Sequence, residues 1–159
     1  MRSAAAMSLV FLLLSLAQVA GAGQASGPRP QVLKLARKAA ARAQAQGLGK
    51  KKLLTLIDYS LPSTQKRLWV LEQKSGKVLF HERVAHGKGS GDNFARRFSN
   101  QPGSLTSSLG LFETSATYSG KHGYSLKLKG LEKGFNDRAE ERAIVIHGAW
   151  YVSEAFAKA

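Results

Sequence analysis

The sequence predicts a mostly-β domain of the sandwich or barrel type behind a basic N-terminal helix, and three observations carry that reading. From Lys52 onward the apolar residues recur with a period of two, in short runs separated by glycine and serine. The chain has 159 residues and no cysteine, so a single domain must be held by a buried core and not by disulfides. Before Lys52 the period is helical and the composition rich in alanine and basic residues.

The first residues read as an export leader. Arg2 is a positive start, Ala4 to Leu16 is an apolar stretch, and Ala20-Gly-Ala22 has the small residues of a cleavage site. Ser8, Ser15 and Gln18 interrupt the apolar run, which favours a cleaved signal peptide over residues 1–22 rather than a membrane anchor. The expected product starts at Gly23, has no transmembrane span and is exported to the periplasm or cell envelope. Residues 23–51 form a linker and a basic helix. Pro30 suits the first helical turn, and over residues 31–46 Leu35, Ala39 and Ala43 make a thin apolar stripe against Lys34, Lys38 and Arg42. Such a helix docks beside the following domain or lies on an anionic surface.

Residues 52–159 hold the domain. Strands are expected over 53–58, 67–72, 77–84, 111–117 and 124–128, with turns at Ser75-Gly76 and Gly120 to Gly123. Asn136, Asp137 and Glu140 have the spacing of a helical turn. A last apolar strand, Arg142-Ala-Ile-Val-Ile-His147-Gly148-Ala-Trp-Tyr-Val152, contains three β-branched residues in a row. These predict a strand buried on both faces that delivers His147 to the sheet rim, where Gly148 lets the backbone turn away. By itself His147 reads either as a structural histidine closing a core strand or as a general base.

Charge narrows the partners. The chain has 24 basic and 10 acidic residues, and removal of residues 1–22 takes away only Arg2, leaving a net charge of +13. An anionic envelope polymer or membrane surface suits this excess, as does simple solubility. Nucleic acid does not suit it: the basic residues are spread out, no stacking aromatics are interleaved, and an exported chain rarely meets it.

Other chemistries fail on spacing. His81 and His86 are five apart in a strand-like stretch, on opposite faces, where a helical zinc motif needs four, so no metal is expected. His86-Gly-Lys-Gly-Ser-Gly91 matches neither a P-loop nor a dinucleotide fingerprint and reads as a flexible loop edging a cleft. Arg96 and Arg97 beside Phe94 and Phe98 read as a solvated loop or as a grip for an acidic ligand. Ser107-Ser108 lies before a strand without a Gly-x-Ser-x-Gly elbow. The absence of cysteine excludes cysteine catalysis by these residues alone.

The ordered set Leu54-Thr-Leu-Ile-Asp58-Tyr-Ser60, Arg67-Leu-Trp-Val70, Val84-Ala-His-Gly87, Gly89-Ser-Gly91, Phe98-Ser-Asn100, Pro102-Gly-Ser104, Ser107-Ser-Leu-Gly110, Gly120-Lys-His-Gly-Tyr-Ser125, Gly130-Leu-Glu132, Asn136-Asp137 and Arg142 to Gly148 resembles the murein L,D-transpeptidase catalytic domain family, over roughly residues 52–156. The resemblance implies cysteine acyl transfer on peptidoglycan stem peptides, without metal or cofactor. A thiol attacks the bond between the third stem residue and a terminal D-alanine, and a neighbouring stem's amine, or water in a carboxypeptidase, resolves the acyl-enzyme. It casts His147 as the general base and Gly148 as its backbone support. His86, Gly87, Gly89, Ser90, Ser99, Asn100, Ser108, Gly110 and Tyr151 become parts of the substrate cleft. Family members continue into a Gly-Arg-Ser-x-Gly-Cys-Pro-like segment that carries the nucleophile. The expectation is therefore an L,D-transpeptidase-like sandwich or barrel truncated before the cysteine motif, with its C-terminal strands missing, or else a non-catalytic envelope protein that binds peptidoglycan.

Overall fold

A computed structural model describes residues 27–48 and 52–158. The leader read over 1–22, and the first part of the linker, lie outside the described residues. The fold is mostly β, with two antiparallel sheets of three strands each behind one long helix. Among the described residues no helix is long and apolar enough to cross a membrane.

Helix α1 spans Pro30–Ala45. Proline at its start costs nothing because its missing N–H would have had no partner there. Its end is a glycine cap: Gly47, with φ 78°, donates to the Gln44 carbonyl while Leu48 donates to that of Ala43. Val32, Leu33 and Ala36 pack on Leu56, Trp69 and Leu71, and Ala40 and Ala43 are buried. The inward face thus runs through Val32, Ala36, Ala40 and Ala43, and Leu35, expected on the stripe, is 68% exposed. The correction has a simple cause. One residue shifts position by about 100° around a helix, and Val32 and Leu33 with a row of alanines bring the axis closer to the sheet than a Leu35 face would.

The first sheet is a meander of β1 (Leu53–Ile57), β2 (Lys66–Glu72) and β3 (Val78–Arg83), with β2 in the middle. Alternation along β2 buries Arg67, Trp69 and Leu71. The core sits here, between α1 and this sheet. Arg29 fixes the arrangement by donating from Nε and Nη2 to the Asp58 carboxylate just beyond β1, at 3.0 and 2.8 Å.

The second sheet orders β4 (Phe112–Gly120), β5 (Gly123–Gly130) and β6 (Val145–His147). The long last strand expected from Arg142 to Val152 is corrected to these three residues, and it is half-buried rather than buried on both faces. Ala143, at φ 52°, breaks the strand before Ile144, and a 3-10 turn at Trp150–Val152 ends the extended run after it. Among the described residues β6 pairs only with β5.

Leu54 and Ile57 of the first sheet face Leu126, Leu128 and Ile146 of the second, with Ala40 and Ala43, across an apolar cavity of about 570 Å³. The second sheet is held by its own strand pairing and by clamps from the loops.

Candidate active site

β6 brings His147 opposite Ser125 of β5 in the strand register. The His147 Nδ1 lies 2.9 Å from the Gly148 carbonyl oxygen. A carbonyl only accepts, so Nδ1 carries the proton in this tautomer and Nε2 keeps its lone pair. That is the form a general base requires. The ring is half-buried, and the His122 imidazole stacks on it with centroids 4.5 Å apart and planes 20° apart. A Cβ on Gly148 would meet nothing within 4 Å, so this residue contributes through its carbonyl and not through its small size.

Arg142, at the root of the same segment, clamps the loop that runs from Ser99 to Ser108. Its Nη1 donates to the Ser99 carbonyl and the Ser108 hydroxyl, and its Nη2 to the Ser104 hydroxyl at 3.0 Å and the Thr106 carbonyl at 2.7 Å. Ser108 is buried and passes its own proton to the Ser99 carbonyl. Asn100 bonds Asp137 Oδ1 through Nδ2 and accepts from the Arg138 amide, which ties the loop to the turn before β6. Next in that turn, fully buried Asn136 donates to the Leu109 and Leu111 carbonyls and accepts from the Glu132 amide. Gly110, at φ 108°, sits against Glu132 and Asn136 and leaves no room for a side chain.

The 86–91 loop packs on the same clamp. Cβ atoms at Gly87 and Gly89 would lie 2.4 and 2.5 Å from the Leu105 and Ser104 carbonyl oxygens, so glycine permits this close approach. The hydroxyl of buried Ser90 accepts from the Ser107 amide. His86 spends both nitrogens here: Nδ1 accepts from Arg67 at 2.8 Å, which leaves Nε2–H to donate to the Gly91 carbonyl at 3.0 Å. Arg67 is itself fully buried, reaching the Val84 and Leu61 carbonyls beneath the Tyr59 ring. Burial pulls the Arg67 guanidinium below its ordinary pKa, opposed by Tyr59 and Asp58, and burial lowers Arg142 as well. Burial also raises the Tyr59 phenol, against a hydrogen bond with Ser107 and the charge of Arg67.

Of the residues singled out from sequence, His147 and Gly148 form one unit at the β6 end. His86, Gly87, Gly89, Ser90, Ser99, Asn100, Ser108 and Gly110 belong to the interlocked loops. Ser108 and Gly110, with Ile146 next to His147, border the cavity between the sheets. Tyr151 lies in the 3-10 turn, edge-on to Trp150 at 5.7 Å. His81 is elsewhere, stacked on Trp69 at 4.7 Å. Among the described residues no three His, Asp or Glu side chains form a set that could hold a metal ion. Two contributors carried no sequence signal for their role: His122, recognisable only as a hairpin residue, and Arg142, recognisable only as a polar residue ahead of an apolar run.

The architecture defines a mostly-β domain that presents a tautomer-fixed histidine at a sheet rim beside a cleft of interlocked loops. The chain belongs to the L,D-transpeptidase catalytic domain family, whose model matches residues 24–159. No curated protein and no solved structure matches it.

Proposed function

We propose that these residues supply the base and the binding surface of a murein L,D-transpeptidase, exported to the cell envelope and acting on peptidoglycan stem peptides. The observation that supports this most directly is the His147 tautomer: Nδ1–H is engaged by the Gly148 carbonyl and Nε2 is left as the acceptor. In the family's chemistry Nε2 takes the proton of a cysteine thiol as the thiol attacks the acyl carbon, and returns it to the departing D-alanine amine. None of the 159 residues is a cysteine, so the nucleophile is not among them. The net charge of +13 left after residues 1–22 favours the carboxylates of stem peptides and other anionic envelope polymers.

The absence of cysteine favours a second reading, a non-catalytic protein that binds peptidoglycan through its basic surface. Two measurements on the 159-residue chain test these readings, and the second separates them. Intact-mass spectrometry with a carbapenem, which acylates this family's cysteine, should show no covalent adduct; a stoichiometric adduct would place the nucleophile on a serine and overturn the proposal. NMR titration with a stem tetrapeptide should perturb the His147 ring and the 86–110 loop. Salt-sensitive binding that leaves His147 unchanged would replace the first reading with the second.

A further inference from the structure

We propose that His122 is a positioning residue for His147, the platform that sets the plane of the base; this rests on the reading of His147 as the base. A single hydrogen bond at Nδ1 selects the tautomer only while it is made, and by itself it leaves the ring free to tilt out of reach of the Gly148 carbonyl. The near-parallel His122 ring, 4.5 Å away and inclined by 20°, removes that freedom by covering one face.

The placement of His122 is built into the second sheet. Gly120 pairs with Gly123, so Lys121 and His122 form the tip of the β4–β5 hairpin, and Gly123, at φ 73°, makes the tight return that a side chain would strain. A Cβ on Gly120 would lie 2.9 Å from the Tyr118 ring, so the turn packs down on its own strand. The link to His147 runs through Ser125. This buried residue opposes His147 in the register, and its hydroxyl donates to the Gly123 carbonyl at 3.1 Å. The rung that carries the base therefore also holds the base of the hairpin that carries the platform.

Two chemical consequences follow. The Nε2 lone pair lies in the ring plane, and with one face covered a thiol and its acyl group must approach along the ring edge or from the face away from His122. After the proton transfer the imidazolium lies against the π-face of its neighbour, which is attractive while that neighbour is neutral.

The test uses the full 159-residue chain and the side-chain ¹⁵N shifts of His147. In the wild type Nδ1 and Nε2 should give separate donor and acceptor shifts. His122→Ala should merge them towards one averaged value, and His122→Phe, which restores an aromatic face without ring nitrogens, should separate them again. The rate of His147 acylation by diethylpyrocarbonate, followed by peptide mass, should rise in His122→Ala and return in His122→Phe, with thermal midpoints confirming that the variants fold. Wild-type shifts and rates in His122→Ala overturn the proposal, and so does averaging in both variants. Failure of the base reading looks different: the stem tetrapeptide then leaves His147 unperturbed while the shifts still respond to His122→Ala.

Discussion

Replacing Arg142 by methionine tests the clamp on which the cleft depends. The guanidinium serves two backbone carbonyls, Ser99 and Thr106, and two hydroxyls, Ser104 and Ser108. Some of these acceptors keep another partner after the change: the Ser99 carbonyl retains the Ser108 hydroxyl, and the Ser104 and Thr106 hydroxyls lie 3.0 Å apart. The Thr106 carbonyl has no such replacement here. Hydrogen bonds to a charged group contribute about 1.5–3 kcal/mol each, and a stranded buried acceptor costs about 1–3 kcal/mol, but the terms are not additive. Methionine recovers part of the packing of the aliphatic stem. The expected net loss is about 3 kcal/mol, a large share of the stability of a domain this size. Arg142→Lys should fall between, because an ammonium cannot present the planar fork that reaches four acceptors at once. Urea unfolding gives the global loss, and amide exchange under native conditions gives the local one, which should be concentrated in residues 99–108. A methionine variant within about 0.5 kcal/mol of wild type, with loop exchange unchanged, would refute the clamp.

Gly130→Ala should be severely destabilising, because its Cβ would stand 1.8 Å from the Asn136 carbonyl oxygen, whereas Gly148→Ala, with nothing within 4 Å, should be close to neutral; thermal unfolding of the pair checks both. Asp58→Asn should destabilise the chain at pH 7 and progressively less in acid. Burial raises the Asp58 pKa, but the Ser60 and Arg29 hydrogen bonds and the Arg29 charge outweigh it and hold the carboxyl below its ordinary value. Its contribution is thus complete above the unfolded value of about 3.9 and vanishes as pH falls through the lower folded one. Melting curves of both proteins between pH 7 and pH 3 should converge on acidification, and a gap independent of pH would remove Arg29–Asp58 as the anchor of α1.

The strand pattern was legible because alternation is local: each of the six strands overlaps a segment whose apolar residues or β-branched run declared it, although β4 runs on to Gly120 and β5 covers Gly123–Gly130 where 111–117 and 124–128 were expected. Three features were lost for a shared physical reason. The inward face of α1 is chosen by what the sheet offers it, so Leu35 and Val32 are equivalent candidates until Leu56, Trp69 and Leu71 are placed beneath one of them. The shortness of β6 likewise depends on Ala143 at φ 52°, held where Ile144 donates to the Ala139 carbonyl, a conformation that no residue type at 143 announces. The stack of His122 on His147 needs the β4–β5–β6 register, which joins positions far apart in sequence.

The loop residues read as parts of a substrate cleft serve the scaffold, and the charge imbalance is part of the reason. With 24 basic residues against 10 acidic ones, a carboxylate is not available to every cation. Arg67 and Arg142 accordingly turn to carbonyls, hydroxyls and an imidazole, and those partners include three loop residues that a sequence reading marks for ligand contact: His86, Ser99 and Ser108. The residues proposed for ligand contact are thus also the scaffold of the loops. A variant that weakens ligand binding by loosening Arg142 should also increase exchange throughout 99–108, whereas one that acts only on the base, such as His147→Gln, should leave that exchange unchanged.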